Sequence, residues 1–352
     1  MIKTIIEKVK KKVKKLPNIK KESENKSSIN NLSSDILKIK RIDFSILDTK
    51  QFVDMPDVEP RVKLFIPKVG ITQRPHYITV IDPFKNLPIN INSFVKIFMP
   101  LKESKRGLHM SRIERIMYSS QNKVYKSLPC YTEEIIIPII KEQNIESGKI
   151  YVKSIYEKET DKNPSGRKGH EILYLYSITS VKNGCLKTFV GLGAYFMNAC
   201  PCPQRWAIRN FYYKLKEKGY SEKEIYEIIK EAPLESHTNR GIVNLFIEDK
   251  DISYSDLYNI LDSSVTIVRE LLSGNDEHLF IRESHEKELF CEDVVREVAF
   301  NVVKYLGNKI ENERRVIIKA EVDESIHFHN LYAEISSSLG ELKEQLKNFN
   351  NI

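Results

Sequence analysis

The chain has 352 residues, 41% hydrophobic and 9% aromatic, which is enough apolar material for sizeable cores and, as a length prior, for two domains of ordinary size. No run approaches the roughly 18 consecutive apolar residues of a membrane helix, which argues against stable membrane insertion. The net charge of +8 does not mark a nucleic-acid face either: residues 1–21 hold nine lysines and a single acid, Glu7, so this segment carries the whole excess.

At the N-terminus, Ile2, Ile5, Ile6, Val9, Val13 and Leu16 recur at helical spacing opposite the lysines. This predicts a basic amphipathic helix, either resting on an anionic surface or extending into solvent. Residues 22–35 are rich in Ser and Asn and read as a linker, so residues 1–40 form an extension and the functional body begins near Asp57. Strands are expected at 62–69, 78–81 and 93–99, and at 134–140 from an isoleucine-rich run. A helix is expected at 111–118, with Ser111 as N-cap and Glu114 closing a capping box. Residues 158–170 form a charged loop with a Pro-Ser-Gly turn, after which 171–179 and 185–192 pair as a hairpin about Asn183-Gly184. A helical block at 204–232, a strand at 242–248, helices at 255–273 and 292–306, and a strand at 316–322 complete the chain. Paired strands with long helices between them predict an α+β fold, antiparallel sheets with helices on one face.

Five cysteines, at 130, 185, 200, 202 and 291, are too sparse and odd in number for a secreted disulfide framework. The N-terminus also lacks the apolar core of a secretory signal. A reducing, cytoplasmic location is expected.

Four clusters carry residue types that bind a metal or move a proton. In Cys200-Pro201-Cys202-Pro203, prolines stiffen the turn and the two thiols point differently, so one Cys as ligand is more plausible than a two-thiol chelate; a free Cys is also often a small buried hydrophobe. His237 precedes a strand beside Arg240-Gly241, a pattern shared by ligand-lining loops and plain surface loops. Glu283-Ser284-His285 is followed by Glu292-Asp293 at a helix start, where the macrodipole favours acids with or without a function. In Glu324-Ser325-Ile326-His327-Phe328-His329, a His-Xaa-His at a strand end puts both imidazoles on one side, and the preceding acid is placed to orient a ring or a water. Thiolate, imidazole and carboxylate together are the ligand set of Zn²⁺ or a comparable divalent ion. Three protein ligands leave a position for water, the arrangement of a hydrolytic metal.

In this order the motifs resemble the type IB GTP cyclohydrolases, including their archaeal branch. The likeness rests on Asp57-Val58 with Arg61-Val62, Val69-Gly70-Ile71, Arg106-Gly107-Leu108-His109-Met110-Ser111-Arg112, and Ala199-Cys200-Pro201-Cys202 with Gln204. It continues through His237 with Arg240-Gly241, Phe290 with Glu292-Asp293, and Glu324-Ser325-Ile326-His327 with His329. It spans roughly residue 57 to the C-terminus, with a poorly matching middle at about 119–195, and the long insert between Cys202 and His237 looks archaeal.

The resemblance implies tandem tunnelling-fold modules, here 41–195 and 196–352, assembling as a dimer or tetramer into a barrel-like oligomer. Its implied activity opens the guanine imidazole ring of GTP, releases formate and forms a 7,8-dihydroneopterin phosphate, as a triphosphate or a 2′,3′-cyclic phosphate. It implies one divalent metal per site, Fe²⁺, Mn²⁺ or Zn²⁺, on Cys200, His237 and His327, with Glu283 as a fourth ligand. Catalytic roles fall to Cys200, Cys202, His237, His329 and Glu324. Glu292, with Glu297 secondary, would read the purine N–H groups, and Arg106, His109, Arg112 and Arg240 would hold the triphosphate. The chain departs from the family at Thr238, Asn239 and Asn330, and has unusual Pro203 and Trp206, which leaves substrate detail open. Rival readings are a nitrile-reductase-like enzyme using a Cys nucleophile, a nucleotide binder without turnover, and a nucleic-acid or membrane-surface binder driven by the lysine tail. The paired histidines with Glu324 favour a metal over the first of these.

Overall fold

The computed structural model describes residues 54–347 apart from 164, 233–235 and 272. The predicted N-terminal amphipathic helix and linker lie outside the described residues. Residues 55–352 form one compact unit, built on a ten-stranded sheet.

The first half opens with β1 (Ile66–Ile81) and β2 (Pro88–Leu101), continues with helices α1 (Met110–Ser119) and α2 (Leu128–Gln143) flanking the short β3 (Val124–Tyr125), and closes with β4 (Ser147–Thr160) and β5 (Gly169–Lys182). The second half opens with β6 (Cys185–Ala199) and β7 (Thr238–Ile247), between which α3 (Pro201–Glu217) and α4 (Glu222–Glu231) are inserted. It continues with α5 (Tyr254–Ser264), β8 (Thr266–Ile267), α6 (Gly274–Glu286) and α7 (Cys291–Leu306), then β9 (Arg315–Asp323), β10 (Leu331–Ser338) and α8 (Leu339–Leu346). The sheet order is β10-β9-β7-β6-β5-β4-β2-β1-β3, with β8 beside β6. Strands 1-2-4-5 and 6-7-9-10 therefore follow the same path, joined at the β5–β6 hairpin. Alternate residues of β4, β5 and β7 are buried, the period expected of a sheet covered on one face. That face carries α2, α5 and α7, whose buried residues join one continuous apolar core.

Asn183 and Gly184 both adopt positive φ, 51° and 77°, the demand of the tight turn that their sequence predicted. Other expectations are corrected. The strands at 62–69 and 78–81 belong to one long strand, β1, which starts at Ile66 and has register shifts at Ile66/Val69 and Ile71/Arg74. Residues 134–140 are helical, not extended. Ser127 caps the helix by accepting from Cys130 N–H, and Ile135, Ile136, Ile139 and Ile140 form a buried stripe at i, i+1, i+4 and i+5, so burial overrides the β-preference of isoleucine. The N-cap of α1 is His109, not Ser111, and Glu114 accepts from Arg74 instead of closing a box.

The 204–232 block is two helices, parted at Gly219 (φ 87°) and restarted by a Ser221–Glu224 capping box. The helix expected over 255–273 ends at Ser264, and Thr266–Ile267 pairs with β6. β6 (Cys185–Ala199) runs across residues 195 and 196, and the two similar strand paths meet at the Asn183-Gly184 turn.

Candidate active site

Strand register sorts the predicted site residues into two groups. At one edge of the sheet, Ala199 at the end of β6 pairs with Thr238 at the start of β7, and Arg240 pairs with Asp323 at the end of β9. Cys200, His237 and residues 324–329 follow or precede those strand ends, so they share this edge. At the other edge, Leu101 ends β2 opposite Ile66, and the pairs Phe98–Lys149, Ser147–Lys182 and Lys182–Cys185 carry that edge to the start of β6. Arg106, His109 and Arg112 follow β2 there. β6 spans roughly 45 Å at about 3.3 Å per residue, so a single chain does not bring these two sets together.

The thiol edge is tied by backbone first. Cys200 N–H donates to His237 O at 3.2 Å, and Ser236 Oγ donates to Cys200 O at 2.6 Å. Asn239, buried in β7, then links the side chains. Its Nδ2 donates to Glu324 Oε1 at 2.8 Å, and its Oδ1 accepts from Ser325 N–H at 3.0 Å and stands 3.2 Å from His237 Nδ1. Ser325 Oγ is also 3.2 Å from Nδ1. With Nδ1 so engaged, the Nε2 lone pair of His237 is the one available to a ligand. Glu324 Oε2 is buried without a hydrogen-bond partner among the described residues, 3.8 Å from His237 Nδ1.

His327 and His329 lie in the loop after β9, not on a strand as expected. Their rings nonetheless stack, with centroids 5.3 Å apart, and His327 meets His237 edge-on at 6.4 Å. Burial pushes the Cys200 thiol up from its ordinary value, and the charges of Cys202 and Glu324 push the same way against a backbone dipole of Cys202. A nearby cation would offset this and favour the thiolate.

Glu292 is exposed in the first turn of α7, and the loop before that helix is tied to β6 by Asn198 Nδ2 donating to Leu289 O at 2.8 Å. This places Glu292 at the thiol edge. Glu297, exposed, stands five residues further along. Arg240 projects from the helix-free face of the sheet, its guanidinium 5.5 Å from the Tyr195 ring centre. Glu283, expected as a ligand, instead accepts from Arg269 at 2.9 Å. Cys202 is exposed at the start of α3.

At the far edge, Gln143 clamps the His109 backbone with bonds of 2.9 and 3.0 Å, and Arg112 donates to Glu142 O at 3.1 Å. His109 Nε2 and Asp57 Oδ1 are 3.2 Å apart, an acid–imidazole pair able to contribute to a cation site. The Lys105 ammonium beside Asp57 holds its carboxyl below the usual range.

The profile of the type I GTP cyclohydrolase folE2 family matches residues 52–333. The chain belongs to this family. It is accordingly a GTP cyclohydrolase, a hydrolase acting on GTP to form pterin precursors. GTP cyclohydrolase MptA of Methanococcus aeolicus is 32% identical over 315 residues, covering 84% of this chain and all of that protein. The MptA of Methanocaldococcus jannaschii is 28% identical over 312 residues, covering 84% and 98%. Among solved structures, uricase from Arthrobacter globiformis gives a TM-score of 0.41 at 6% identity, over 78% of this chain and 95% of that one.

At the thiol edge of this cyclohydrolase, the buried Glu324 Oε2 without a partner is what a cation would satisfy, with His237 Nδ1 3.8 Å away and the His327 ring 6.4 Å from that of His237. The group whose ligand atoms lie within 4.8 Å of one another among the described residues is Asp54, Asp57 and His109 at the far edge. Asn239 went unread in the sequence as a positioning residue. Its signal was its place two residues after His237 on a strand, where side chains return to the same face.

Proposed function

We propose that the enzyme opens the guanine imidazole ring of GTP at the thiol edge, releasing C8 as formate and yielding a 7,8-dihydroneopterin phosphate. The observation that carries this reading is that the buried Asn239 amide links His237 to Glu324, with His327 edge-on to His237 at 6.4 Å and the Cys200 N–H bonded to His237 O.

Cys200, His237 and His327 would hold one Fe²⁺, Mn²⁺ or Zn²⁺. When bound, the ion supplies Lewis acidity that lets water ionise near neutral pH. The residues around it bind, orient and move protons. Glu324 and Asn239 hold the His237 tautomer with Nδ1 as donor. His237, or His329 stacked on His327, is the group that takes up and returns the proton. Cys202 tunes the neighbouring thiol. Glu292, with Glu297 behind it, accepts from the guanine N–H groups, a two-point reading suited to guanine. Arg240 meets the phosphates. Glu283 has the weakest case as a fourth ligand because Arg269 occupies it.

Tandem tunnelling-fold modules account for the repeated strand order. Arg106, His109 and Arg112 reach the thiol edge only from another copy, so the reading includes a homodimer or homotetramer in the cytoplasm. No helix among the described residues is long and apolar enough to cross a membrane.

The test is anaerobic incubation of the metal-free chain with GTP and each metal in turn, scoring formate and fluorescent pterin. Formate with at least one metal supports the reading; pterin-free GTP with all three sinks it. Phosphate analysis of the product separates the linear from the cyclic form.

A further inference from the structure

The helix-covered face of β6 runs Val190, Leu192, Ala194, Phe196 and then Asn198, and the first four are fully buried and apolar. An amide therefore stands where the pattern calls for an apolar side chain. Its Nδ2 donates to Leu289 O at 2.8 Å. Further along, Gln204, at 0% exposure, buries a second amide in the first turn of α3, and its Nε2 donates to His285 O, also at 2.8 Å. The two amides flank Cys200 in the chain, two residues before it and four after, and they grip the two ends of the segment 285–289 that leads into α7. In both, the carbonyl oxygen (Asn198 Oδ1, Gln204 Oε1) is buried with no hydrogen-bond partner among the described residues. A side chain kept for stability alone would be apolar here, because an empty buried acceptor costs free energy that a methyl group does not. What each amide supplies is its donor, aimed at one backbone carbonyl.

We propose that Asn198 and Gln204 are positioning residues that hold Glu292 in register with the thiol turn and so set the preference for guanine over hypoxanthine nucleotides. The inference rests on the reading in which Glu292 accepts from the guanine N–H groups, and deepens it by naming what fixes that acid. Glu292 lies three residues after Leu289, in the first turn of α7, so any shift of the 285–289 segment is passed to its carboxylate. A hollow of about 460 Å³ separates the start of α3 from the cap of α7, with Pro201, Cys202 and Trp206 in one wall and Phe290 in the other. The two hydrogen bonds thus also fix its width. Guanine offers a carboxylate two N–H donors, at N1 and the 2-amino group, whereas hypoxanthine offers the one at N1. The second bond forms only while both carboxylate oxygens face the ring edge, so it is the bond that a small displacement removes.

Two measurements on the intact chain test the proposal. Hydrogen exchange at backbone amides 286–292 reads the clamp itself, without turnover. Formate release from GTP and from ITP, compared as kcat/KM, reads the specificity; if ITP yields no formate, its inhibition constant against GTP takes the place of kcat/KM. The variants are Asn198→Leu, Gln204→Met and the two combined, near-isosteres that keep the bulk and lose the donor. The control is Thr132→Val, which removes a buried hydroxyl bonded to Ser177 and Thr179 in the first half of the chain. The double variant is expected to speed exchange over 286–292 by about tenfold or more and to cut the GTP-to-ITP ratio by about tenfold. The KM for GTP should rise while that for ITP stays within about threefold. Each single variant should give part of both changes, so the outcome does not hang on the double variant folding. Thr132→Val should alter neither. If exchange quickens but the ratio stays within about twofold of the parent, or Thr132→Val lowers the ratio as far, the specificity role is overturned while the cyclohydrolase reading stands. If exchange is unmoved as well, the clamp is overturned too. If the parent chain releases no formate from GTP, that reading fails and takes the specificity role with it, and exchange still decides whether the two amides hold the segment.

Discussion

Asn239 and Glu324 meet through a 2.8 Å hydrogen bond, Nδ2 to Oε1, that joins the start of β7 to the loop after β9. The same amide turns its oxygen to Ser325 N–H and His237 Nδ1, so one buried side chain sets an acid, an imidazole and a loop at once.

Asn239→Ala would strip partners from a buried carboxylate and a backbone N–H together. Loss of metal affinity by about 10- to 100-fold is expected, as for removal of an orienting partner behind a ligand, with a stability cost of about 1–3 kcal/mol. Metal titration followed by urea denaturation measures both. Unchanged metal affinity would deny Asn239 its positioning role.

Cys200→Ala removes the thiol that stands between the end of β6 and the first turn of α3. The Cys200 side chain makes no capping hydrogen bond to α3, so the fold should survive with a thermal midpoint near that of the parent. Bound metal and formate release should both fall to background, read by elemental analysis and product assay. A variant that kept full metal content would remove Cys200 from the ligand set.

Gly70→Ala is expected to destabilise strongly. A Cβ at Gly70 would lie 1.7 Å from the Ile97 carbonyl oxygen, a backbone atom held by the β1–β2 ladder that cannot swing aside. A cost of at least about 2 kcal/mol is expected from such overpacking, measured as a shift in denaturation midpoint. Gly107→Ala, where a Cβ meets nothing within 4 Å, is the control and should sit near the parent value.

Stability should also fall on mild acidification because of His76. This buried ring accepts from Arg74 Nη1 at Nδ1 (2.9 Å) and lies 3.2 Å from Ser120 Oγ at Nε2. Burial, helped by the Arg74 charge and opposed by Glu114, pushes its pKa down from 6.5 to about 4. The unfolded chain then binds the proton more readily than the folded one. The contribution is therefore complete above pH 6.5 and lost as pH falls towards 4, on the order of 3 kcal/mol. Denaturation midpoints across pH 4.5–7 check this. His76→Gln keeps an acceptor and a donor without titrating and should flatten that part of the profile.

How much was legible in advance follows from the range of each interaction. The β5–β6 hairpin was readable because Asn183-Gly184 supplies its own turn chemistry and the flanking strands alternate. α7 was readable because its apolar period is long and unbroken. α2 was not, because a run of isoleucines fits a strand as well as a buried helix until its packing partners are known. The Arg269–Glu283 pair was not readable for a similar reason, since nothing local announces Arg269, 14 residues upstream, as the partner of Glu283.

Residue types and motif order in the chain were sufficient to show a resemblance to the family, because donor chemistry is a property of single side chains, and that resemblance named Cys200, His237 and His327 as ligands to test. Which donors meet was decided by strand register. The antiparallel ladder puts the ends of β6 and β9 and the start of β7 at one edge and sends Arg106, His109 and Arg112 to the other. Distance across a sheet accumulates pair by pair through long-range hydrogen bonds, and no local pattern of residues encodes that sum.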